Sequence, residues 1–287
     1  MVTKKKFGIM GGDFRQIYLA KKFYNDGNKV FLFGFDKLKN FNKAIPCENI
    51  TEIIEASDYI ILPLPPTRDG IHLNAPFSKK NITIDDNILN SLNQKIVFGN
   101  LSKFTNNTNI SQSYNYSKNE EFQIMNAVPT AEGAIKTALS ITHRTLFKSN
   151  CLIAGFGRIG KILANRLEKF NPNITITARN GADLVWADAI GYNSIQLNEI
   201  SGSMADYDFI FNTIPKVIFD EALLSKCHKN ALIIDLASPP GGIDKAAAEK
   251  LKINCRHELA IPGKMFPESA ADIIYYSIEK IIKEKFL

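Results

Sequence analysis

Six residues restrict the fold of this 287-residue chain more than any others: Gly155-Phe156-Gly157-Arg158-Ile159-Gly160. Leu152-Ile153-Ala154 before them reads as an apolar strand, residues 161–170 have helical spacing, and Ile174-Thr175-Ile176-Thr177 reads as a second strand. Strand, glycine turn, helix and strand within about 30 residues make the setting in which this spacing has chemical meaning. The first glycine permits the tight turn, the second lets a pyrophosphate approach the backbone, and the third brings helix against strand. Free N–H groups at the helix start then face the phosphates. The plainer reading of the same residues is a glycine-rich turn in an α/β domain that holds no ligand.

The end of the second strand bears on which dinucleotide is bound. An acidic residue there would take the ribose 2′-hydroxyl of NAD. This chain has Ala178-Arg179-Asn180 instead, and a guanidinium beside an amide favours a 2′-phosphate, so NADP is expected and NAD stays open. Arg158 is a candidate for a second phosphate contact.

Around this unit the whole chain alternates short apolar runs with amphipathic stretches, which implies parallel sheets covered by helices on both faces. The first series has strands at 7–10, 29–33, 58–62, 96–98 and 122–125, with a helix over 14–25 stopped by Gly27. Pro129-Thr130 then opens a helix, with Thr130 as its cap, running through Ile135, Leu139 and His143. The second series has strands at 152–154, 174–177, 209–211, 231–234 and 253–255. Residues 102–120 read as helix and loop. A final helix over 269–286 carries Ile273, Ile274, Ile278, Ile281 and Ile282 on one side. The expected fold is α/β, with two Rossmann-like doubly wound parallel-sheet domains around a cleft. Residues 1–128 with the helix 269–287 form a substrate domain, and 129–268 form the NAD(P)-binding domain.

Composition removes several classes. At 45% hydrophobic and 22% charged residues, the chain suits neither disorder nor a rod-like repeat. No apolar run is long enough for a membrane span, and the N-terminal apolar stretch is too short for a signal peptide. Cys47, Cys151, Cys227 and Cys255 are scattered without metal-ligand spacing, which fits a reducing cytoplasm. The net charge of +6 comes mostly from lysines interspersed with acids, the pattern of a solvated surface and not of a nucleic-acid footprint.

Arginine is scarce, and Arg15, Arg68, Arg158 and Arg179 all follow expected strands, where α/β sheets bind ligands. The first domain's own turn, Gly11-Gly12-Asp13-Phe14-Arg15-Gln16, lacks a third glycine, and the Asp13 carboxylate would repel a pyrophosphate while making a good helix cap. Arg15 is a candidate for a substrate carboxylate; pairing with a neighbouring acid is the other reading. Thr213-Ile214-Pro215 and Ser238-Pro239 follow buried strands and suit the walls of a nicotinamide site. Lys264 is a further anion-binding candidate. None of His72, His143, His228 and His257 stands in a catalytic pattern, so an alcohol oxidation lacks its usual base. Oxidation to an aromatic ring tolerates that lack better, with Glu132, Asp13 or Thr130 in assisting roles.

Taken in order, these strings resemble the family of the dipicolinate synthase A subunit. They are Gly-Gly-Asp-x-Arg-Gln at 11–16, Gly34-Phe35-Asp36, Ile61-Leu62-Pro63 and Asn-x-x-Pro-Thr-x-Glu-Gly at 126–133. Gly-x-Gly-Arg-x-Gly at 155–160, Ala178-Arg179, Asn-Thr-Ile-Pro at 212–215, Asp-Leu-Ala-Ser-x-Pro-Gly-Gly at 235–242 and Pro-Gly at 262–263 continue the series. After Lys264 the chain departs from a more glycine-rich family pattern. The resemblance implies NAD(P)-dependent oxidation of a dihydrodipicolinate-type dicarboxylate, or its 4-hydroxy-tetrahydro precursor, to dipicolinate. It also implies a flavoprotein-like partner, the dipicolinate synthase B subunit, and a setting in the mother-cell cytoplasm during sporulation. A homo-oligomer is the ordinary state of such enzymes. The rival readings are a D-2-hydroxyacid-dehydrogenase-like oxidoreductase and a non-catalytic NADP-binding scaffold for the partner.

Overall fold

The computed structural model describes residues 4–39, 43–104 and 112–286. The chain divides into two compact units, Met1–Met125 with Phe266–Leu287, and Asn126–Met265.

The first unit contains strands β1 (Lys6–Met10), β2 (Lys29–Phe33), β3 (Ile45–Pro46), β4 (Tyr59–Ile61), β5 (Ile96–Phe98) and β6 (Ser113–Tyr114). All pair in parallel in the order β3-β2-β1-β4-β5-β6. Its helices are α1 (Phe14–Asn25), α2 (Ile50–Ala56), α3 (Asp86–Leu92), the start of α4 (Glu120–Ile141) and α10 (Pro267–Phe286). The order runs outward from the first strand in both directions, the doubly wound arrangement, which places ligand-binding loops at the carboxyl ends of the central strands. Phe7 stacks on Phe23 of α1 at 4.0 Å between ring centroids, and Ile274, Ile278 and Ile282 of α10 fill the same core. Each such isoleucine contributes roughly 1.5–3 kcal/mol through burial. Lys22 and Asp272 pair at 2.7 Å across the α1–α10 contact.

The second unit repeats the plan. Its strands are β7 (Asn150–Ala154), β8 (Asn173–Ala178), β9 (Asn193–Gln196), β10 (Phe209–Asn212), β11 (Leu232–Asp235) and β12 (Asn254–His257). They are all parallel in the order β12-β11-β10-β7-β8-β9. Helices α5 (Arg158–Glu168), α6 (Gly181–Ala189), α7 (Glu221–Leu224), α8 (Lys245–Lys250) and α9 (Ile261–Met265) connect or follow them. Cys151 through Ala154 are buried, as a central strand covered on both faces requires.

Several sequence expectations shift. Residues 122–125 are not a strand: they lie in α4, which begins at Glu120, well before Pro129, and ends at Ile141, short of His143. Thr130 is therefore no cap. Pro129 sits inside the helix, and the Thr130 hydroxyl donates to the Asn126 carbonyl at 2.8 Å, a back-bond of the kind serine and threonine make within helices. The last strand is Asn254–His257, and the final helix starts at Pro267. Part of the stretch expected as helix and loop, 105–111, lies outside the described residues; the rest includes short 3-10 turns at Leu101–Lys103 and Tyr116–Lys118 and the strand β6. Among the described residues no helix is long and apolar enough to cross a membrane.

Candidate functional site

The glycine turn between β7 and α5 divides its work as its spacing requires. Gly155 has φ +96°, and its N–H donates to the Thr177 carbonyl at 2.8 Å. A Cβ there would run into Thr213 Oγ1 and the Ile214 side chain, and a Cβ on Gly160 would run into the Gly155 carbonyl oxygen. Gly157 differs, because among the described residues a Cβ at that position would meet nothing within 4 Å. It is the N-cap of α5, and among the described residues no side chain caps the helix there. The first N–H groups of α5 thus keep room for an anion, and the residues present fit a dinucleotide pyrophosphate. Arg158 and half-buried Ile159 open the helix, while Phe156 is buried, its ring nearly perpendicular to that of Tyr192 with centroids 6.5 Å apart. Burial and the Glu168 carboxylate push the Tyr192 hydroxyl up to about 12.

Beside the end of β8 lies a pocket of about 480 Å³, lined by Arg179, Asn198, Leu197, Ile200, Ile218 and Leu223. Arg179 is exposed, whereas Ala178 is buried at the strand end. Asn180 caps α6, its Oδ1 accepting from the Ala182 N–H at 3.1 Å, so its carbonyl oxygen serves the helix start.

At the ends of β10 and β11, buried Asn212 and Asp235 are register partners and their side chains join at 2.7 Å. The Thr213 hydroxyl donates to the Ala154 carbonyl at 2.9 Å, which ties the loop carrying Ile214 and Pro215 back to the central strand. Ser238 and Pro239 are exposed in the following loop. His257 Nε2 lies 3.1 Å from the Ala237 carbonyl oxygen beneath that loop. Sequence reasoning named both loops and missed the buried pair joining them. A polar residue closing each of two apolar strands was the available signal.

In the first unit the corresponding turn is filled by its own side chains. Asp13 caps α1 in a capping box, with its backbone N–H donating to Gln16 Oε1 at 3.1 Å. Arg15 is 7% exposed; its Nε and Nη2 donate to the two Asp13 oxygens at 2.8 Å each, and Nη2 donates to the Leu64 carbonyl at 2.6 Å. Of the two readings for Arg15, the geometry has the pair with a neighbouring acid. Buried Tyr116 donates to the Leu62 carbonyl at 3.2 Å, and burial drives its hydroxyl well above the usual tyrosine value. Arg68 Nε reaches Asn74 Oδ1 at 3.4 Å.

The remaining candidates, Glu132, Thr130 and Lys264, lie on α4 and α9. Glu132 pairs with Arg166 at 3.4 Å, two helical turns along α5 from Gly157 and on its outer surface. Thr130 is engaged within α4, and Lys264 is exposed on the short helix α9.

A family model described as the N-terminal domain of the dipicolinate synthase A subunit matches residues 6–116. The D-isomer specific 2-hydroxyacid dehydrogenase NAD binding domain matches residues 118–248. The dipicolinate synthase A subunit of Bacillus subtilis (strain 168) is 30% identical over 99% of this chain and 98% of its own length. The crystal structure of the dipicolinate synthase A subunit from Bacillus halodurans, 27% identical, covers 98% of this chain and 99% of its own with a TM-score of 0.87. That of the Bacillus subtilis protein, 30% identical, covers 99% and 97% with a TM-score of 0.84. A transhydrogenase from Sinorhizobium meliloti, 12% identical, covers 98% and 93% with a TM-score of 0.68 and shares the fold.

Two all-parallel Rossmann-like units, the second a dehydrogenase-type domain for a nicotinamide dinucleotide, define the class of this protein. Within that class the chain belongs to the family of the dipicolinate synthase A subunit.

Proposed function

We propose that this chain is the A subunit of a dipicolinate-forming oxidoreductase, taking a dihydrodipicolinate-type dicarboxylate, or its 4-hydroxy-tetrahydro precursor, to the aromatic diacid with NADP. One observation carries the reading: among the described residues nothing caps or fills the helix start at Gly157, within a turn whose other two glycines are fixed by contacts. The first N–H groups of α5 bind the pyrophosphate, and Arg179 pairs with the 2′-phosphate at the mouth of the pocket beside β8. Thr213, Ile214, Pro215, Ser238 and Pro239 wall the reacting ring. Bound there, NADP supplies the hydride acceptor. The first unit is the substrate side. The partner is the dipicolinate synthase B subunit, the assembly includes more than one copy of this chain, and the setting is the mother-cell cytoplasm in sporulation.

A second reading has a specific observation behind it. Asp13 and Glu132, the two carboxylates expected to assist proton loss, are both held in ion pairs. A dinucleotide-binding protein that turns over only with its partner would need neither. Calorimetry with NADP and NAD, followed by NADPH formation from dihydrodipicolinate with and without the partner, tests both. NADP binding with turnover by the isolated chain supports the first reading, and turnover only with the partner supports the second. No heat with either dinucleotide overturns both.

A further inference from the structure

The two strand-end loops of the C-terminal unit are locked together from below. Asn212 and Asp235 are 0% and 1% exposed. Asp235 Oδ1 accepts from Asn212 Nδ2 at 2.7 Å and from the Ala237 N–H at 3.1 Å, while Oδ2 accepts from the Gly242 N–H at 2.9 Å. One carboxylate thereby closes residues 236–242 into a ring. Asn212 does the same for the other loop: its Oδ1 accepts from the Ile214 N–H and its Nδ2 donates to the Ile214 carbonyl, both at 3.1 Å. The Gly242 carbonyl accepts from the Ile218 and Phe219 N–H groups at 3.0 Å each, a second tie between the loops. The pair also explains the paired glycines. A Cβ on Gly241 would lie 2.7 Å from Asp235 Oδ2, and one on Gly242 would collide with Asn212 Nδ2.

A buried carboxylate costs stability unless its hydrogen bonds are satisfied, and here each bond goes to a loop backbone or to the amide that holds the neighbouring loop. We propose that Asn212 and Asp235 are positioning residues for the reacting half of the dinucleotide. They act through the backbone of 213–215 and 236–242 and leave the phosphate and adenosine contacts to the glycine turn and the Arg179 pocket. The inference rests on the dinucleotide reading above and adds which residues set the ring's placement.

The two halves of the ligand separate the roles. Full-length Asp235→Asn and Asn212→Ser are compared with the unmodified protein, using 2′,5′-ADP as a probe of the adenosine half, NADPH fluorescence for the ring, and NADPH formation from dihydrodipicolinate with the partner present. The expected result is 2′,5′-ADP affinity and NADP KM within about three-fold, altered fluorescence of bound NADPH, and kcat lower by about 100-fold. Unchanged kcat overturns the proposal. Parallel loss of 2′,5′-ADP binding and turnover overturns it too, because the pair would then only hold the unit together. If Asp235→Asn does not fold, Asn212→Ser is judged by the same criteria. An unmodified protein that binds neither NADP nor 2′,5′-ADP overturns the dinucleotide reading itself, before any substitution is read.

Discussion

Gly157 and Asp13 occupy the same position in two copies of one turn. Each is the third residue after a central strand, each is the N-cap of the helix that follows, and their backbones agree closely, with φ −80° and ψ −161° against φ −101° and ψ −163°. One has no side chain, and the other places a carboxylate where a phosphate would sit.

Gly157→Asp should therefore separate stability from binding. The backbone already suits aspartate, so capping and reduced unfolded-state freedom should stabilise the protein by about 0.5–1 kcal/mol. Dinucleotide affinity should fall at least about 100-fold, since the new carboxylate both fills the space and repels the pyrophosphate. Thermal melts and calorimetry on one preparation check the two signs.

Gly160→Ala should lose both. Its Cβ meets a backbone carbonyl that cannot yield without moving the turn, and overpacking of this kind costs about 1–3 kcal/mol. Urea unfolding reads the loss.

Arg179→Ala should weaken NADP about 10- to 100-fold, the range for a lost charge-assisted hydrogen bond, while NAD changes by less than about three-fold. Equal weakening of both would place Arg179 outside 2′-phosphate recognition.

Arg15→Met should lower stability by about 2–3 kcal/mol, less than a fully buried broken pair because the Asp13 side chain remains 32% exposed. Adding Asp13→Asn should restore part of the loss, which a urea double-mutant cycle measures. A substrate receptor with no structural role would change KM and leave the urea midpoint in place.

Alkaline pH should destabilise the fold through its thiols. Burial pushes Cys227 and Cys255 up to about 11 and Cys151 to about 12, from an ordinary 9.0. Folded-state values above the unfolded one keep this stability below pH 9.0 and lose it as pH rises from there toward the folded values. Cys151→Ala should flatten that decline in melts taken across the window.

The turn at 155–160 was legible because its three glycines answer to three separate physical demands, and the strand before it is an apolar run buried on both faces. Helix α1 was legible for a similar reason, with Asp13 announcing its start as a cap; the Gln16 half of the capping box emerged with the structure. Helix α4 was not. Phe122 and Ile124 have strand-like alternation, and Pro129 looks like a first helical residue, whereas the fold carries the helix through the proline. At the site, the ionic partners of Arg15 and Glu132 decide what those residues can do. Asp13 lies two residues from Arg15, so that pair was readable, while Arg166 meets Glu132 only once α4 lies against α5. The Asn212–Asp235 pair was hidden for the same reason, since its partners are 23 residues apart and meet through strand register.

The isoleucines of α10 that complete the core around Phe7 and Phe23 come more than 240 positions after those rings in the chain. During synthesis residues 126–265 emerge as one uninterrupted block and can fold early. The segment made first keeps part of its apolar face uncovered until residues 267–286 have been made, because Ile274, Ile278 and Ile282 complete its core.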